Sequence, residues 1–170
     1  LDNPYGRELL EDANRALTKR FQFASADDAT RWLVDRVGDV YPVRVISIDR
    51  LVISSANLLA WLTTDAGHLL VKCCALVSFQ QRLQNVATLL HWLAQCGIPV
   101  SAPLLTHMGE GQIICDHLSL GVQRVIAGEL LDPTQLGQAQ AAGATLAYLH
   151  NALARYPHAA DFTQPAPMAS

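Results

Sequence analysis

The chain has 170 residues, of which 51% are hydrophobic, and a formal net charge of −3. That length suits one compact domain, or one domain with an appendage, and the hydrophobic fraction is enough for a sizeable core. Interspersed charges argue against a nucleic-acid-binding surface, and no apolar run is long enough to span a bilayer, so we predict neither partner.

Two helices are predicted at the start of the chain. Apolar residues recur at helical spacing over residues 1–23. The second helix begins at Ser25, with Asp28 in the capping-box position, and Gly38 is its predicted stop. Because an apolar stripe on a helix usually belongs to a core, we expect both helices to cover apolar surface of a sheet.

A meander of three strands is predicted next. The first strand is rich in β-branched residues and is expected to kink near Asp49. Ser54–Asn57 separate it from the second strand. Asp65 and Gly67 lie between the second and third apolar runs, which favours a hairpin there.

A lysine interrupts the third strand. Lys72 shares a strand face with Leu70 and Cys74, whereas Val71 and Cys73 point to the opposite face. An ammonium in an apolar strand is costly unless an anion meets it. Two interpretations are open at this point: a lysine that reaches water from an edge strand, or a lysine that binds an anionic ligand.

The clearest helix is predicted over Ser78–Cys96. Ser78 and Gln81 form a capping-box pattern, and Gly97 followed by Pro99 is typical of a helix end. The apolar residues of this segment fall on one stripe, so we expect it to pack on a face of the sheet.

Further strands and a last helix complete the predicted elements. Gln112–Leu118 is predicted as a strand, and Gly121 is expected to break the run before Val122–Ile126. Asp132 is the predicted cap of a helix that ends near Tyr156. Because no Gly-rich turn links a strand to a helix, Rossmann and P-loop folds are excluded.

The cysteines predict neither disulfides nor a metal site. None of the four belongs to a C-x-x-C pair, and most lie in apolar runs, so they are expected to be buried free thiols. Free thiols fit a reducing cytoplasm. The four residues are Cys73, Cys74, Cys96 and Cys115.

Five short segments, in order and at comparable spacing, resemble the aminoglycoside phosphotransferase/choline kinase family. The resemblance covers about Val43–Tyr156 and implies an α+β fold: a kinase-like N-lobe whose five-stranded antiparallel sheet carries one long packed helix, preceded by a two-helix extension. The segments are Ser54–Asn57, Gly67–Lys72, Leu89–Val100, Ile126–Leu130 and Gly143–His150.

The resemblance also implies a division of the chain into four parts. Residues 1–40 would be the helical extension and residues 41–131 the kinase-like N-lobe. Residues 132–156 would be the first helix of the C-lobe, and residues 157–170 a flexible tail or truncation boundary.

ATP-binding roles follow from the resemblance. The loop after the first strand would cover the phosphates, and the strand lysine would hold the α- and β-phosphates. The leucine on its face would roof the adenine, and backbone groups of the hinge would bond the adenine edge. These residues are Ser54, Ser55, Ala56 and Asn57 in the loop, Leu70 and Lys72 in the strand, and Arg124, Val125 and Ile126 in the hinge.

One position departs from the family pattern. The family usually has a glutamate in the long helix that pairs with the strand lysine, whereas Val86 aligns with it here. No acidic residue lies anywhere in Ser78–Cys96, although Gln84 or Asn85 offers a partial substitute.

The catalytic loop and metal-binding aspartate of the family have no counterpart in the 170 residues, so no catalytic or metal residue is assigned. The resemblance implies the nucleotide-binding lobe of a longer ATP-dependent phosphotransferase, inactive alone. Mg²⁺ would be held mainly by the missing lobe, and the acceptor would be a small-molecule hydroxyl. Two alternatives remain: a catalytically inactive kinase-like interaction module, and an α+β domain without a nucleotide role.

Overall fold

The computed structural model describes residues 13–54, 56–132 and 134–162. The rest of the predicted first helix and tail, together with Ser55 and Pro133, lie outside the described residues. The helices are α1 (Ala13–Arg20), α2 (Ala26–Val40), α3 (Gln80–Gln95) and α4 (Leu136–Leu153), the 3-10 turns are Val77–Phe79 and Ala159–Phe162, and the strands are β1 (Val45–Ile53), β2 (Asn57–Thr64), β3 (Gly67–Cys74), β4 (Ile113–Cys115) and β5 (Leu118–Arg124).

The strands form one antiparallel sheet in the order β1-β2-β3-β5-β4. The predicted α+β fold with a five-stranded antiparallel sheet is therefore confirmed. β3 lies at the centre, where Lys72 is the register partner of Leu59 in β2 and of Gly121 in β5.

Two local irregularities of the sheet agree with the sequence. The β2–β3 hairpin turns at Asp65, and Gly67 follows with a φ of 101°, which glycine adopts without strain. The Thr64 hydroxyl donates to the Gly67 carbonyl at 2.7 Å. The predicted kink in β1 is a register shift between Ile48 and Arg50, as in a β-bulge.

One face of the sheet, which we call the packed face, is covered by α1 and α2. Leu69, Val71 and Cys73 of β3 are fully buried there, in one cluster with Leu33 and Val37 of α2. The N-terminal helices thus cover apolar sheet surface, as predicted. Because residues in a strand alternate, the opposite face carries Leu70 and Lys72; we call it the open face.

α3 lies over the open face and shares a smaller core with α4. Leu93, Ile98 and Ala152 are buried in this second cluster. The rings of Trp92 and Tyr156 meet edge-on beside it, with centroids 5.2 Å apart. This second cluster is built from α3, α4 and the segment after α3, and it contains no residue of the sheet.

Two predicted helix boundaries are wrong. Ser78 does not cap α3, because a 3-10 turn precedes the helix and Phe79 occupies the cap position without a side-chain hydrogen bond. Gly38 does not stop α2, which continues to Val40 with Tyr41 as its C-cap. At Gly38 no positive φ is present and a Cβ would meet nothing within 4 Å, so the helix passes through it.

The first and last helices also differ from prediction at their ends. α1 ends before Gln22, whose φ of 59° is incompatible with a continuing helix. Asp132 is not the cap of α4, because its carboxylate accepts from the N–H and hydroxyl of Thr134 at 2.9 and 2.6 Å. Gln135 takes the cap position instead. The predicted flexible tail from residue 157 stays a prediction, although residues 159–162 form a 3-10 turn.

Candidate functional site

A cavity of about 240 Å³ lies between α3 and the open face of the sheet. The helix contributes aliphatic side chains to its wall, and the sheet side contributes an ammonium and three amides. Prominent lining residues are Leu83, Val86 and Leu90 from α3, and Asn57, Lys72, Gln112 and Gln123 on the sheet side.

Lys72 is the one cationic side chain among the lining residues, none of which is acidic. It is exposed, and among residues 13–54, 56–132 and 134–162 no ion pair reaches it. Val86 of α3 lines the same cavity, and α3 contains no acidic residue. The cavity lining therefore carries one uncompensated positive charge.

The predicted phosphate loop is a short, internally bonded turn. The Ser54 N–H donates to the Asn57 carbonyl at 2.8 Å, and the Asn57 N–H donates to the Ser54 hydroxyl at 3.1 Å. Arg20 of α1 donates to the Ser54 carbonyl at 2.8 Å. Ser55 lies outside the described residues, and of Ser54, Ala56 and Asn57 only Asn57 lines the cavity.

The predicted hinge lies beside the Lys72 cavity rather than in it. Arg124 and Ile126 line a second cavity of about 300 Å³, and Pro103 lines both, so the two adjoin. The Arg124 carbonyl accepts from the Ser101 hydroxyl at 3.0 Å. The Val125 N–H donates to a β3 carbonyl at 3.0 Å. One backbone acceptor of the predicted hinge is therefore already bonded.

Leu70 lies on the open face beyond the cavity lining. It is half-buried and is the register partner of Trp61 in β2 and of Gln123 in β5. The Arg50 guanidinium lies 5.0 Å from the centroid of the Trp61 ring. An apolar and aromatic surface thus continues from Leu70 toward β1.

An acidic group on the sheet is held at β1. The Ser47 and Thr63 hydroxyls donate to the carboxylate of Asp49 at 2.7 and 2.8 Å, and these hydrogen bonds lower the pKa of that carboxyl. His68 Nδ1 lies 3.9 Å from the carboxylate. Asp49 is therefore bonded to Ser47 of its own strand and to Thr63 of β2, and not to Lys72.

Two of the three cavity amides, Gln112 and Gln123, were not predicted from the sequence, whereas Asn57 was. Gln112 Nε2 donates to the Ser119 hydroxyl at 2.8 Å, and Gln123 Nε2 donates to the Ser101 carbonyl at 3.1 Å. A Cβ at Gly121 would overlap the Gln112 amide. β5 runs through Gly121 without a break, so the predicted interruption is wrong.

The alternation of polar and apolar residues along β5 could have located the sheet side of the Lys72 cavity from the sequence. Polar or small residues occupy every second position of β5 and alternate with apolar ones, which is the pattern of a strand with two unlike faces. The open-face residues are Ser119, Gly121 and Gln123, and the packed-face residues are Leu118, Leu120 and Val122.

Two negative findings apply to the described residues alone. No group of three or more His, Cys, Asp or Glu side chains is placed to hold a metal ion in residues 13–54, 56–132 and 134–162. Within the same ranges no helix is both long and apolar enough to cross a membrane. Three of the four cysteines are buried and all are free, whereas Cys96 is exposed, contrary to the expectation of burial.

Residues 51–169 match a profile of the phosphotransferase enzyme family. A structure of spectinomycin phosphotransferase with ADP and spectinomycin is similar, with a TM-score of 0.58 and 12% identity over 72% of this chain and 37% of that chain. An aminoglycoside phosphotransferase from Alicyclobacillus acidocaldarius gives a TM-score of 0.48 and 14% identity over 69% and 34% of the two chains.

The similarity covers part of each neighbour. The chain spans about a third of the length of the two structures, 37% and 34%. A search of curated protein sequences finds no match.

Proposed function

Because this chain belongs to the phosphotransferase enzyme family, we propose that it is the nucleotide-binding lobe of an ATP-dependent kinase whose acceptor is a small-molecule hydroxyl. The observation that carries the proposal is Lys72, a lone cation in a cavity lined otherwise by amide and apolar side chains. A kinase needs a positive charge at this place because phosphoryl transfer depends on positioning and on neutralising phosphate charge.

The phosphates would lie along the sheet side of the cavity. Lys72 would pair with the α- and β-phosphate oxygens, and the amide of Asn57 would donate to them from the neighbouring strand. The turn formed by Ser54, Ser55, Ala56 and Asn57 would cover them. Neutral amides leave the lysine charge available, which supports an anionic ligand.

The adenine would lie at the adjoining cavity. Ile126 N–H has no backbone acceptor in the described part of the chain, so it is the available donor of the hinge. The Arg124 carbonyl keeps a second lone pair beside its bond from Ser101. Leu70 would contact the base from the sheet above. The proposed ATP site is thus supported by a cation and by one backbone donor of the hinge that has no backbone partner in the described residues.

The catalytic groups would come from residues beyond this chain. The chain spans 37% of spectinomycin phosphotransferase, and large apolar side chains of α4 and the segment before it are exposed. A further lobe packed on α4 would bury them, and we propose that it supplies the base and the Mg²⁺ ligands. Free cysteines fit a protein that works in the reducing cytoplasm.

The test is a titration of the 170-residue chain with ATP and Mg²⁺, followed by backbone amide shifts. We expect a Kd on the order of 1 mM, because a half-site leaves much of the base in water. Lys72→Ala should abolish the shifts, whereas Lys19→Ala, at the only other lysine of the chain, should leave them unchanged.

An activity assay accompanies the titration. The pure chain should transfer no phosphate to an aminoglycoside or to choline. Measurable turnover would contradict the proposal that the catalytic groups lie elsewhere, and shifts that survive Lys72→Ala would remove the lysine from the site.

A second candidate is a kinase-like binding module without catalysis. The specific observation in its favour is that Lys72 has no carboxylate partner in the described residues and shares its cavity with Val86. Both candidates predict ATP binding by this chain. An assay of the full-length protein distinguishes the two candidates. Turnover that depends on Lys72 supports the kinase, and ATP binding without turnover supports the binding module.

A further inference from the structure

We propose that Gln112 is the positioning residue for Lys72: its amide oxygen is the acceptor to which the ammonium turns. The inference rests on the proposed nucleotide site and names the group that orients its lysine. Both side chains line the cavity between α3 and the open face.

The sheet register places the two groups opposite each other. Lys72 is the cross-strand partner of Gly121. Side chains at such paired positions have Cβ atoms about 4.5–5.5 Å apart and normally interact. Gly121 has no side chain, and the space its Cβ would fill is occupied by the Gln112 amide oxygen. Gln112 therefore supplies the cross-strand neighbour that β5 itself does not provide.

The orientation of the amide suits an acceptor role. Gln112 Nε2 donates to the Ser119 hydroxyl at 2.8 Å, and Ser119 is buried. In the structure the Nε2 end of the amide meets Ser119 and Oε1 lies over Gly121, where its lone pairs can accept a hydrogen bond. No hydrogen bond joins Gln112 to Lys72 in the structure, and the lysine closes the gap by rotating its four-carbon stem.

A neutral acceptor has a different consequence from a carboxylate. It holds the ammonium by a charge-assisted hydrogen bond while leaving the full positive charge for an incoming phosphate. A carboxylate at the same place would hold the lysine more tightly but would also repel the phosphate. Positioning and anion affinity should therefore respond oppositely when Gln112 becomes Glu.

The first test measures lysine order in the free protein. The chain has two lysines, Lys19 and Lys72, so ¹³C-lysine labelling gives two Cε signals, assigned by Lys19→Arg and Lys72→Arg. We expect Gln112→Leu to increase the fast motion of the Lys72 Cε and to leave Lys19 unchanged. Gly121→Ala should do the same, because its methyl displaces the amide.

A matched control removes a different amide from the same cavity. Gln123 is the register partner of Leu70 rather than of Lys72, and its amide is bonded to the Ser101 carbonyl. Gln123→Leu should therefore leave the Lys72 Cε motion unchanged. If Gln112→Leu and Gly121→Ala also leave it unchanged while their folds remain intact by amide spectra, the proposal is overturned.

The second test separates this proposal from the nucleotide site itself. Gln112→Leu should weaken ATP binding about tenfold, the expected loss of a hydrogen bond to a charged group. Gln112→Glu should order Lys72 further and yet weaken ATP binding, a split that loss of structure would not produce.

The measurements distinguish failure of this inference from failure of the proposed function. ATP binding that needs Lys72 but is indifferent to Gln112 sinks this inference and keeps the proposed function. No ATP binding, with Lys72 still ordered by Gln112, sinks the function and keeps the contact.

Discussion

The two faces of the central strand, β3, differ in burial and in residue chemistry. On the packed face, Leu69, Val71 and Cys73 are completely buried under the N-terminal helices. On the open face, Leu70 is half-buried and Lys72 is exposed beside a cavity. Because residues alternate, one eight-residue strand serves both faces: alternate positions point into the closed core and onto the open face beside the cavity.

The largest expected effect compares the adjacent leucines of that strand. Leu69→Ala should lower the free energy of unfolding by about 2–5 kcal/mol, because it leaves a cavity in the closed core. Leu70→Ala should cost less than about 1.5 kcal/mol, since the side chain already meets open space. Urea unfolding of both variants measures the difference, and equal losses of unfolding free energy would contradict the expected difference between the faces.

Alkaline pH should also act on the packed face. Burial raises the pKa of the Cys73 thiol and of the Tyr41 hydroxyl, so the folded state keeps both protonated. The two protonated groups stabilise the folded state fully below the pKa values that they have in the unfolded chain, about 8.5 and 10. This stabilisation is lost as the pH rises above those values. Each group should contribute up to about 1.4 kcal/mol per pH unit.

Variants at these two positions sharpen the pH prediction. Tyr41→Phe should reduce the fall in unfolding free energy above pH 10, and Cys73→Ala should reduce the fall that begins near pH 8.5. The measurement is the urea midpoint from pH 7 to 11. An unchanged slope in both variants would show that the alkaline loss arises elsewhere.

The smallest expected effect concerns the attachment of α2 to the β4–β5 turn. Trp32 Nε1 donates to the Asp116 carboxylate at 2.8 Å, and Arg36 lies 3.7 Å from the same carboxylate. Trp32→Phe should cost about 1 kcal/mol of unfolding free energy, because this hydrogen bond is exposed to water. ATP shifts at the open face should stay the same, and a change in them would show that the faces are coupled.

Features fixed by residues close in sequence were predictable. The Asp65 and Gly67 turn sets the β2–β3 hairpin, and with it the face on which Lys72 lies. The apolar stripe of α2 predicted a helix that covers the sheet. Each of these depends on local turn chemistry or on a single period, so no distant partner was needed.

Features decided by distant residues were not predictable in the same way. The Gly121 position reads as a break because glycine weakens strands, yet the Gln112 amide fills the space beside it. Ser78 has the composition of a cap, but a 3-10 turn shifts the start of α3 and leaves it unused. The bond between Ser101 and the Arg124 carbonyl joins segments 23 positions apart.

The packed face also determines where the chain can be cut when this lobe is expressed by itself. The family profile begins at residue 51, inside β1, whereas the helices that close the core begin before it. An expressed piece trimmed to the profile would split a strand and expose Leu69 and Val71 to water. Exposed apolar strand surface is an aggregation hazard. A piece cut at residue 51 would therefore lose both helices that cover the packed face.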